Sequence, residues 1–416
     1  MATLSVLSAS LGGVPKKYRA GTHRCIPPEE TLERVRPFMA QMGITRVANV
    51  TGLDRIGLPV VQVTRPNSRS LAVSQGKGLG LAAAKASGLM ESVETYHAEN
   101  ITLPLKYGRF ADLSRSHRIV DVDALNCRKS SNYHPDLPLL WIEGVDLLQD
   151  EPVLLPFEMV DANFTYPRPS GSGCFAATSN GLASGNHLLE AISHGITEVI
   201  ERDATTLWGI SGKEAQDRTR LDLQTVQDEV CLEVLDKFSS AGIAVGVWET
   251  TSDIGVPSFL CKIRDQGVAI PGNVDLPGYG CHPDRSIGLF RALTEAAQTR
   301  LTIIAGTRDD LGRSRYEQMG NPLISWRDVT WSENVGPRSL REAPNCDAES
   351  FDGDVTWLLD RLRRAGAQRV VVVNLTKPEF NLPVVRVVIP GLEMALIDPE
   401  VYVLGRRAQS VLRGRS

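Results

Sequence analysis

Three segments of the chain repeat one pattern of apolar and oxygen-bearing residues. Residues 88–94 read GLMESVE, residues 195–201 read GITEVIE and residues 292–298 read ALTEAAQ. Each has an apolar residue two positions before a glutamate and an acid or amide three positions after it. Residues three apart share one face of a helix, so the pattern predicts three amphipathic helices with acidic stripes. The opposite faces supply apolar residues such as Leu89, Val93, Ile196 and Val199.

Helical and β-like patterns alternate along the rest of the chain. A helix is predicted from Pro28 to Gly43 and a longer one from about Asn186 to Thr206, whereas residues 308–350 are predicted to be an irregular excursion. Further helices are predicted in SIGLFRALTEAAQTRLTIIAG and DVTWLLDRLRRAG. Strands are predicted in TRVANVTG, PVVQVTRP, LPLLWIEGVDLL, AVGVWET, SFLCKIRD, RVVVVNLT and VVRVVIPG. This interleaving predicts an α/β or mixed α+β fold in one intertwined catalytic domain.

Composition and charge exclude several classes of protein. The 416 residues carry a formal net charge of −4, so no bulk basic field attracts nucleic acid or an anionic membrane. The seven cysteines are scattered without a CxxC pair, which argues against a zinc or iron–sulfur site and favours reduced thiols. No apolar run approaches the length of a membrane span. We therefore expect a cytoplasmic globular protein.

The stripe of the second helix is the longest of the three. Asn186, Glu190, Glu198 and Glu201 fall on one helix face, together with His194. A solvated face is the simplest interpretation, because charged stripes are usually exposed. Such faces normally mix lysine with glutamate, however, and these stripes contain almost no lysine. Like carboxylates repel unless cations compensate them, so we expect the three helices to face one cleft that binds Mg²⁺ and a nucleotide.

The glycine-rich run GKGLG precedes the first of these helices. It is not a Walker loop, because Lys77 is followed by Gly78 and not by Ser or Thr. It is not a full dinucleotide fingerprint either, because Leu81 stands where the third glycine belongs. The glycines are expected to let the backbone turn tightly into a helix whose stripe begins at Ser87.

Four motifs follow one another along the chain. They are SxxxExxE at 87–94, an asparagine and a glutamate at 186 and 190, ExxER at 198–202 and ExxQ at 295–298. With phrases such as YRAGTHR, RPNSRSLAVSQGKG and VVRVVIPGLE, they resemble the YcaO family from about residue 14 to 395. The resemblance implies the ATP-binding α/β fold of that family, with three helix-borne carboxylate motifs converging on one cleft. It assigns residues 1–60 to an N-terminal segment packed on the core and residues 61–416 to the catalytic domain.

The resemblance also implies an activity, the activation of peptide backbone amides by O-phosphorylation with ATP and Mg²⁺. A nucleophile adds to the amide carbonyl, and the resulting oxyanion attacks the γ-phosphate. External sulfide gives a thioamide, whereas a neighbouring Cys, Ser or Thr side chain gives an azoline. The chain ends in VLGRRAQSVLRGRS without the PxPxP tail of azoline-forming members, and it shows no fused leader-binding domain. We therefore expect thioamide formation ahead of azoline formation.

Roles for individual residues follow from the same resemblance. The residues implied to be catalytic are Glu91, Glu201 and Arg202. The implied metal ligands are Glu91, Glu94, Glu190, Glu198 and Glu201. The implied ATP-binding residues are Lys17, Arg24, Ser87, Asn186, Glu190, Arg202, Gln298 and Arg300, and the choice between Lys17 and Arg24 stays open.

Partners and rival functions complete the expectations. The resemblance implies a precursor peptide or protein as substrate, a TfuA-like or leader-binding partner protein, and a homodimer. The acidic stripes alone are equally compatible with a Mg·ATP-dependent ligase or kinase that acts on a small molecule, and a non-catalytic peptide-binding relative is a further alternative. Cys174 on a glycine-rich turn is a possible nucleophile, although no His or Asp partner can be assigned to it. His194 is a possible base or substrate-orienting residue.

Overall fold

The computed structural model describes residues 13–169, 171–265, 275–308, 310–312, 336–394 and 401–414. Helices and strands alternate over these residues, as the sequence predicts for a mixed α/β fold. The helices are α1 Pro28–Val35, α2 Leu81–Glu99, α3 Phe110–Leu113, α4 Leu188–Gly209, α5 Lys213–Arg218, α6 Glu229–Ser240, α7 Arg285–Ala305, α8 Phe351–Arg364 and α9 Arg406–Arg413. The strands are β1 Arg46–Asn49, β2 Val60–Thr64, β3 Val73–Lys77, β4 Leu105–Gly108, β5 Leu139–Asp146, β6 Glu151–Pro156, β7 Leu182–Ser184, β8 Leu221–Asp222, β9 Ile243–Glu249, β10 Ser258–Asp265, β11 Leu276–Cys281, β12 Arg338–Ser339, β13 Val371–Asn374 and β14 Val384–Val388.

The larger sheets are antiparallel and include two with three strands each. One has the order β1-β2-β3 and the other has the order β11-β10-β9. A six-stranded sheet follows the order β4-β5-β13-β14-β7, with β6 paired to β5. Because β1 pairs with β2, the residues on either side of position 60 share one sheet. A short parallel pair joins β12 to β8.

The three helices with acidic stripes each pack against a different sheet. Helix α2 lies on β2 and β3, α7 lies on β10 and β11, and α4 lies on β7 and β14. Each also closes a different part of the core, through Leu89 and Val93 in α2, Ile196 in α4 and Leu293 in α7. Burial of a side chain of this size contributes roughly 1.5–3 kcal/mol. The predicted apolar faces therefore hold the helices on their sheets and leave the stripes free to face elsewhere.

Glycines in the strands allow two of these helices to approach their sheets closely. A Cβ atom on Gly76 in β3 would overlap the carbonyl oxygen of Ala84 and the amide nitrogen of Gly88 in α2. A Cβ atom on Gly280 in β11 would overlap the backbone of α7 in the same way. Only glycine fits where two backbones come so near.

The observed elements begin and end near their predicted positions, with two differences. Helix α1 begins at Pro28 but ends at Val35, because Pro37 has no amide hydrogen and a 3-10 turn over Arg36–Phe38 takes its place. The glycines of the run at 76–80 are expected to let the backbone turn tightly into α2, but Gly76 and Lys77 are the last residues of β3, so only the part from Gly78 onward makes this turn. Most of the predicted irregular excursion, residues 313–335, lies outside the described residues.

The state of the cysteines and the character of the described helices can be compared with the expectations from composition. All seven cysteines are free thiols, as the lack of a pairing pattern predicts. Among the described helices, none combines the length and the apolar character that crossing a membrane requires.

Candidate active site

The acidic stripes of α2, α4 and α7 meet along one cleft of about 920 Å³. Loops around the N-terminal segment and the start of β11 complete its walls. The cleft thus brings together side chains that are far apart in the chain. The predicted site residues that line it are Arg24, Ser87, Glu91, Glu94, Asn186, Glu190, Glu198, Glu201, Arg202 and Gln298.

Two of the glutamates are held by the strand that precedes their helix. The carboxylate of Glu91 accepts a hydrogen bond of 3.2 Å from the backbone N–H of Gln75 in β3. The carboxylate of Glu295 accepts one of 3.3 Å from the backbone N–H of Tyr279 in β11. Each of these hydrogen bonds orients a carboxylate at the cleft wall.

Two other glutamates are fixed by neighbouring loops and strands. Glu94 accepts hydrogen bonds from the backbone N–H of Ser184 at 2.8 Å and from its hydroxyl at 2.7 Å. Glu190 accepts one of 2.9 Å from the backbone N–H of Cys25, and the guanidinium of Arg24 lies 3.6 Å from its other oxygen. The N-terminal loop therefore closes on α4 through Glu190.

The glutamates of the cleft differ in whether a basic group contacts them. Burial raises the pKa of Glu91 to about 7 and that of Glu94 to about 8. Burial likewise raises the pKa of Glu198, and it raises that of Glu201 to about 7. Within the described part of the chain, no basic side chain lies within 4 Å of Glu91, Glu94 or Glu198. Arg202, Arg386 and Arg291 lower the pKa of Glu198 from beyond contact distance, whereas no such cation of the described residues acts on Glu94, so Glu94 is the carboxylate that most requires an external cation.

Besides Arg24 at Glu190, two cations lie beside the acids Glu295 and Glu201. The ammonium of Lys77 lies 2.8 Å from the carboxylate of Glu295. Burial alone would raise the pKa of Glu295, but Lys77 and Arg202 lower it below its usual value. The guanidinium of Arg202 lies 3.9 Å from Glu201. Burial opposes the charge of Arg202, yet Glu201, Glu198 and Glu295 together raise its pKa.

His194 lines the cleft in its neutral form. Burial, followed by the positive charge of Arg291, lowers its pKa well below the usual value. Its Nε2 atom lies 3.0 Å from the guanidinium of Arg291, so Nε2 is the acceptor and Nδ1 carries the proton. This arrangement gives His194 a hydrogen-bonding role in the cleft wall.

Two predicted ATP-binding residues lie away from the cleft. The guanidinium of Arg300 is buried and pairs with Asp54 at 2.9 Å and with Asp265 at 3.1 Å, so its charge is already neutralised in the interior. Lys17 is exposed and does not line the cleft, whereas Arg24 does. The structure therefore favours Arg24 over Lys17 as the residue of the N-terminal segment that faces the nucleotide site. The surroundings of Arg300 are those of a residue that stabilises the interior of the fold.

The contacts of Asn186 and Cys174 bear on the roles predicted for them. Asn186 lines the cleft, but its side chain also accepts a hydrogen bond from Arg34 at 3.2 Å and donates one to Thr31 at 3.0 Å, so it ties α1 to the start of α4. Cys174 is buried outside the cleft lining, and burial together with Glu158 raises the pKa of its thiol. A high pKa disfavours the thiolate that a nucleophilic cysteine needs.

Sequence reasoning missed three residues that the cleft contains. Lys77 and Gln75 alternate with Gly76 along β3, so both point to the face opposite α2 and towards α7. If the run at 73–77 had been predicted to be a strand, its alternation would have placed Lys77 and Gln75 on one face. Arg291 lies one turn before Glu295 on α7, so the helical spacing of that stripe could have predicted that both residues share the face towards the cleft.

The donor set fits Mg²⁺ bound with a nucleotide. Carboxylate oxygens are the ligands that Mg²⁺ accepts most readily, and Glu91, Glu94 and Glu198 line the cleft without a basic group within 4 Å among the described residues. Arg24, Lys77 and Arg202 border the same space and suit phosphate oxygens. The cleft therefore offers oxygen ligands for a divalent cation and basic groups for the phosphates it accompanies.

Comparison with known sequences gives consistent matches. The family model described as YcaO cyclodehydratase, ATP- and Mg²⁺-binding, matches residues 75–393. An uncharacterized protein from the tfuA 3′ region of Rhizobium leguminosarum bv. trifolii is 35% identical over 429 residues, which covers 97% of this chain and 97% of that protein. An uncharacterized protein of Methanothermobacter thermautotrophicus is 35% identical over 398 residues, which covers 93% of this chain and 99% of that protein.

Comparison with solved structures supports the fold. A heterocyclase in complex with substrate and cofactor superposes with a TM-score of 0.74 at 21% identity, over 92% of this chain and 54% of that chain. This chain thus spans about half the length of that heterocyclase. The YcaO protein of Methanopyrus kandleri bound with AMPPCP and Mg²⁺ superposes with a TM-score of 0.70 at 24% identity, over 94% of this chain and 99% of that chain.

The predicted fold and the predicted ligands agree with these matches. Both solved structures share the arrangement of helices and sheets described above, and the matching family is described as binding ATP and Mg²⁺. The family model covers most of the chain, and the relatives match it nearly from end to end. The chain belongs to the YcaO family of ATP- and Mg²⁺-binding cyclodehydratases.

Proposed function

We propose that this protein uses ATP and Mg²⁺ to convert backbone amides of a ribosomally made peptide or protein into thioamides. External sulfide adds to the amide carbonyl, and the resulting oxyanion is phosphorylated by ATP and leaves as phosphate. The observation that carries the proposal is the meeting in one cleft of Arg24, Lys77 and Arg202 with three carboxylates that have no basic group within 4 Å among the described residues. An amide oxygen is a poor leaving group. Bound Mg·ATP would supply the γ-phosphoryl group that turns that oxygen into phosphate, with ADP as the other product.

The residues of the chain divide this task between metal and phosphates. We assign Glu91, Glu94 and Glu198 to Mg²⁺, together with Glu190 and Glu201, because their oxygens line the cleft. Arg202 is assigned to the phosphates, since Glu201 is its nearest acidic partner and lies as far as 3.9 Å away. Ser87, Asn186 and Gln298 would complete the polar wall around the nucleotide. The work of the protein is mainly positioning and charge neutralisation.

The choice of sulfide as nucleophile rests on two features. A relative at 35% identity is named for its place in a tfuA 3′ region, and we propose a TfuA-like protein as partner. The buried thiol of Cys174 has a raised pKa and lies outside the cleft, so sulfur is expected to come from outside the chain.

We further propose that the enzyme acts as a homodimer in the cytoplasm. Azoline formation is the alternative outcome of the same activation.

Calorimetry with Mg·ATP tests the site directly. The intact protein is expected to bind ATP only when Mg²⁺ is present, and Glu91→Ala and Glu201→Ala are expected to lose that binding. Glu143→Ala is the matched control, because Glu143 is exposed on β5 and far from the cleft lining. If ATP binds equally well to all four proteins, the carboxylate cleft is not the nucleotide site.

Mass spectrometry then identifies the product. A precursor peptide incubated with the protein, its TfuA-like partner, Mg·ATP and sulfide is expected to exchange one oxygen for one sulfur. Loss of water without sulfur would assign azoline formation instead. ATP consumption that depends on a small metabolite and not on any peptide would favour a ligase or kinase, and it would contradict the proposal.

A further inference from the structure

Tyr279 touches groups from two of the three helices at the cleft. It lies in β11, and its backbone N–H donates a hydrogen bond of 3.3 Å to the carboxylate of Glu295 in α7. Its ring faces the guanidinium of Arg202 in α4, whose Cζ atom lies 5.8 Å from the ring centroid. Neither the sequence motifs nor the lining of the cleft includes this residue.

Arg202 has few other contacts that could hold it in place. Its one ion pair in the described part of the chain is the 3.9 Å approach to Glu201, which is longer than a hydrogen bond. A long side chain of this kind has considerable rotamer freedom unless it is packed. The face of an aromatic ring restrains a guanidinium without using its N–H groups, which then stay free to donate to another partner.

We propose that Tyr279 is a positioning residue, whose ring holds the Arg202 guanidinium towards the phosphates of the bound nucleotide. This proposal rests on the proposed function, because it gives Arg202 a phosphate to meet. The contribution comes from the ring and not from the hydroxyl, since the contact is between the guanidinium and the aromatic face. The backbone N–H to Glu295 is independent of the side chain and survives its replacement.

Two substitutions separate the ring from the rest of the residue. Tyr279→Leu removes the aromatic face and keeps the backbone N–H, and it is expected to weaken Mg·ATP binding about fivefold. Tyr279→Phe keeps the ring and is expected to stay within about twofold of the intact protein. If the Phe variant binds as weakly as the Leu variant, the hydroxyl carries the effect and the proposal is overturned. If the Leu variant binds as well as the intact protein, the ring has no such role.

A double substitution tests whether Tyr279 acts through Arg202. In an Arg202→Met background, Tyr279→Leu is expected to cause no further loss of Mg·ATP affinity, whereas a merely structural defect would lower the affinity in either background. The same four proteins compared in urea unfolding report the ring–guanidinium contact without any nucleotide. If the two substitutions are coupled in unfolding but the intact protein does not bind ATP, the proposed function is overturned and the contact between the ring and the guanidinium is retained. Absence of coupling in unfolding would overturn the contact itself.

Discussion

Two regions of the molecule share one backbone frame and differ in charge. We call β2, β3 and α2 the first unit, and β10, β11 and α7 the second unit. In each, the helix follows the edge strand of a three-stranded sheet, and a strand glycine, Gly76 or Gly280, meets the helix backbone. In each, a strand N–H donates to a helix glutamate sixteen positions later in the chain. The hydrogen bond and the close approach therefore recur in the same register.

The charges on this common frame are arranged differently. In the first unit, no basic side chain of the described residues lies within 4 Å of Glu91 or Glu94, and burial raises their pKa values to about 7 and about 8, although Lys77 lowers that of Glu91 from a greater distance. In the second unit, Glu295 pairs with Lys77 of the first unit, and Gln298 replaces the second acid. The frame thus fixes where oxygen atoms point, whereas the neighbouring cations decide which carboxylates remain for a metal. We expect the first unit, together with α4, to provide most of the Mg²⁺ ligands.

The largest predicted effect concerns the shared frame. Gly76→Ala and Gly280→Ala each place a methyl group where helix backbone already lies, so either is expected to lower the free energy of unfolding by about 3 kcal/mol. Urea unfolding measures the loss. Gly52→Ala is the control, because nothing lies within 4 Å of a Cβ atom there. Equal losses would support the equivalence of the two units, and a loss at only one of them would break it.

Much of the fold could be predicted from local pattern. The repeat of an apolar residue, a glutamate and a second oxygen-bearing residue located α2, α4 and α7, because a helix brings residues three apart onto one face. Strand runs such as Val384–Val388 were recognisable from their β-branched residues. The role of Gly76 was not predictable, since it depends on how closely a helix and a sheet approach each other in the folded chain.

The candidate site was predictable where one helix face carried it. Ser87, Glu91 and Glu94 follow helical spacing and all line the cleft. Arg300 follows Glu295 on α7 by more than a turn, at about 100° per residue, and this rotation turns it away from the cleft towards Asp54. Pairs such as Lys77 with Glu295 join segments far apart in sequence, so no local pattern reveals them.

The next prediction uses the raised pKa values of the first unit. A carboxyl group with a pKa of about 8, such as Glu94, holds a proton at pH 7, and Mg²⁺ must displace that proton to bind. Affinity for Mg²⁺ is therefore expected to rise about tenfold between pH 7 and pH 9 from this group alone. Calorimetry in buffers of different ionisation enthalpy is expected to show release of about one to two protons at pH 7.

The direction of the pKa shifts in the first unit fixes how proton release and stability change with pH. Raised pKa values make protonated carboxyls the favoured form near neutral pH, so release of protons falls towards zero by about pH 9.5. The same shift means that the metal-free protein loses stability as pH rises from about 4.5 to about 8, because the folded state binds more protons than the unfolded state. Constant proton release across this range would show that the carboxyls of the first unit are already ionised.

The smallest predicted effect comes from removing Lys77, the cation of the first unit that pairs with Glu295 of the second unit. Lys77→Met removes the cation that lowers the pKa of Glu295, so burial is expected to raise that pKa. Binding of Mg²⁺ at pH 7 should then release roughly a few tenths of a proton more than in the intact protein. The effect is modest because both side chains are partly exposed, at 22% and 26%, and water already screens the pair. Lys85→Met is the matched control, since Lys85 lies on α2 outside the cleft lining. An unchanged proton release in Lys77→Met would mean that Arg202 and Arg291 keep Glu295 ionised without Lys77.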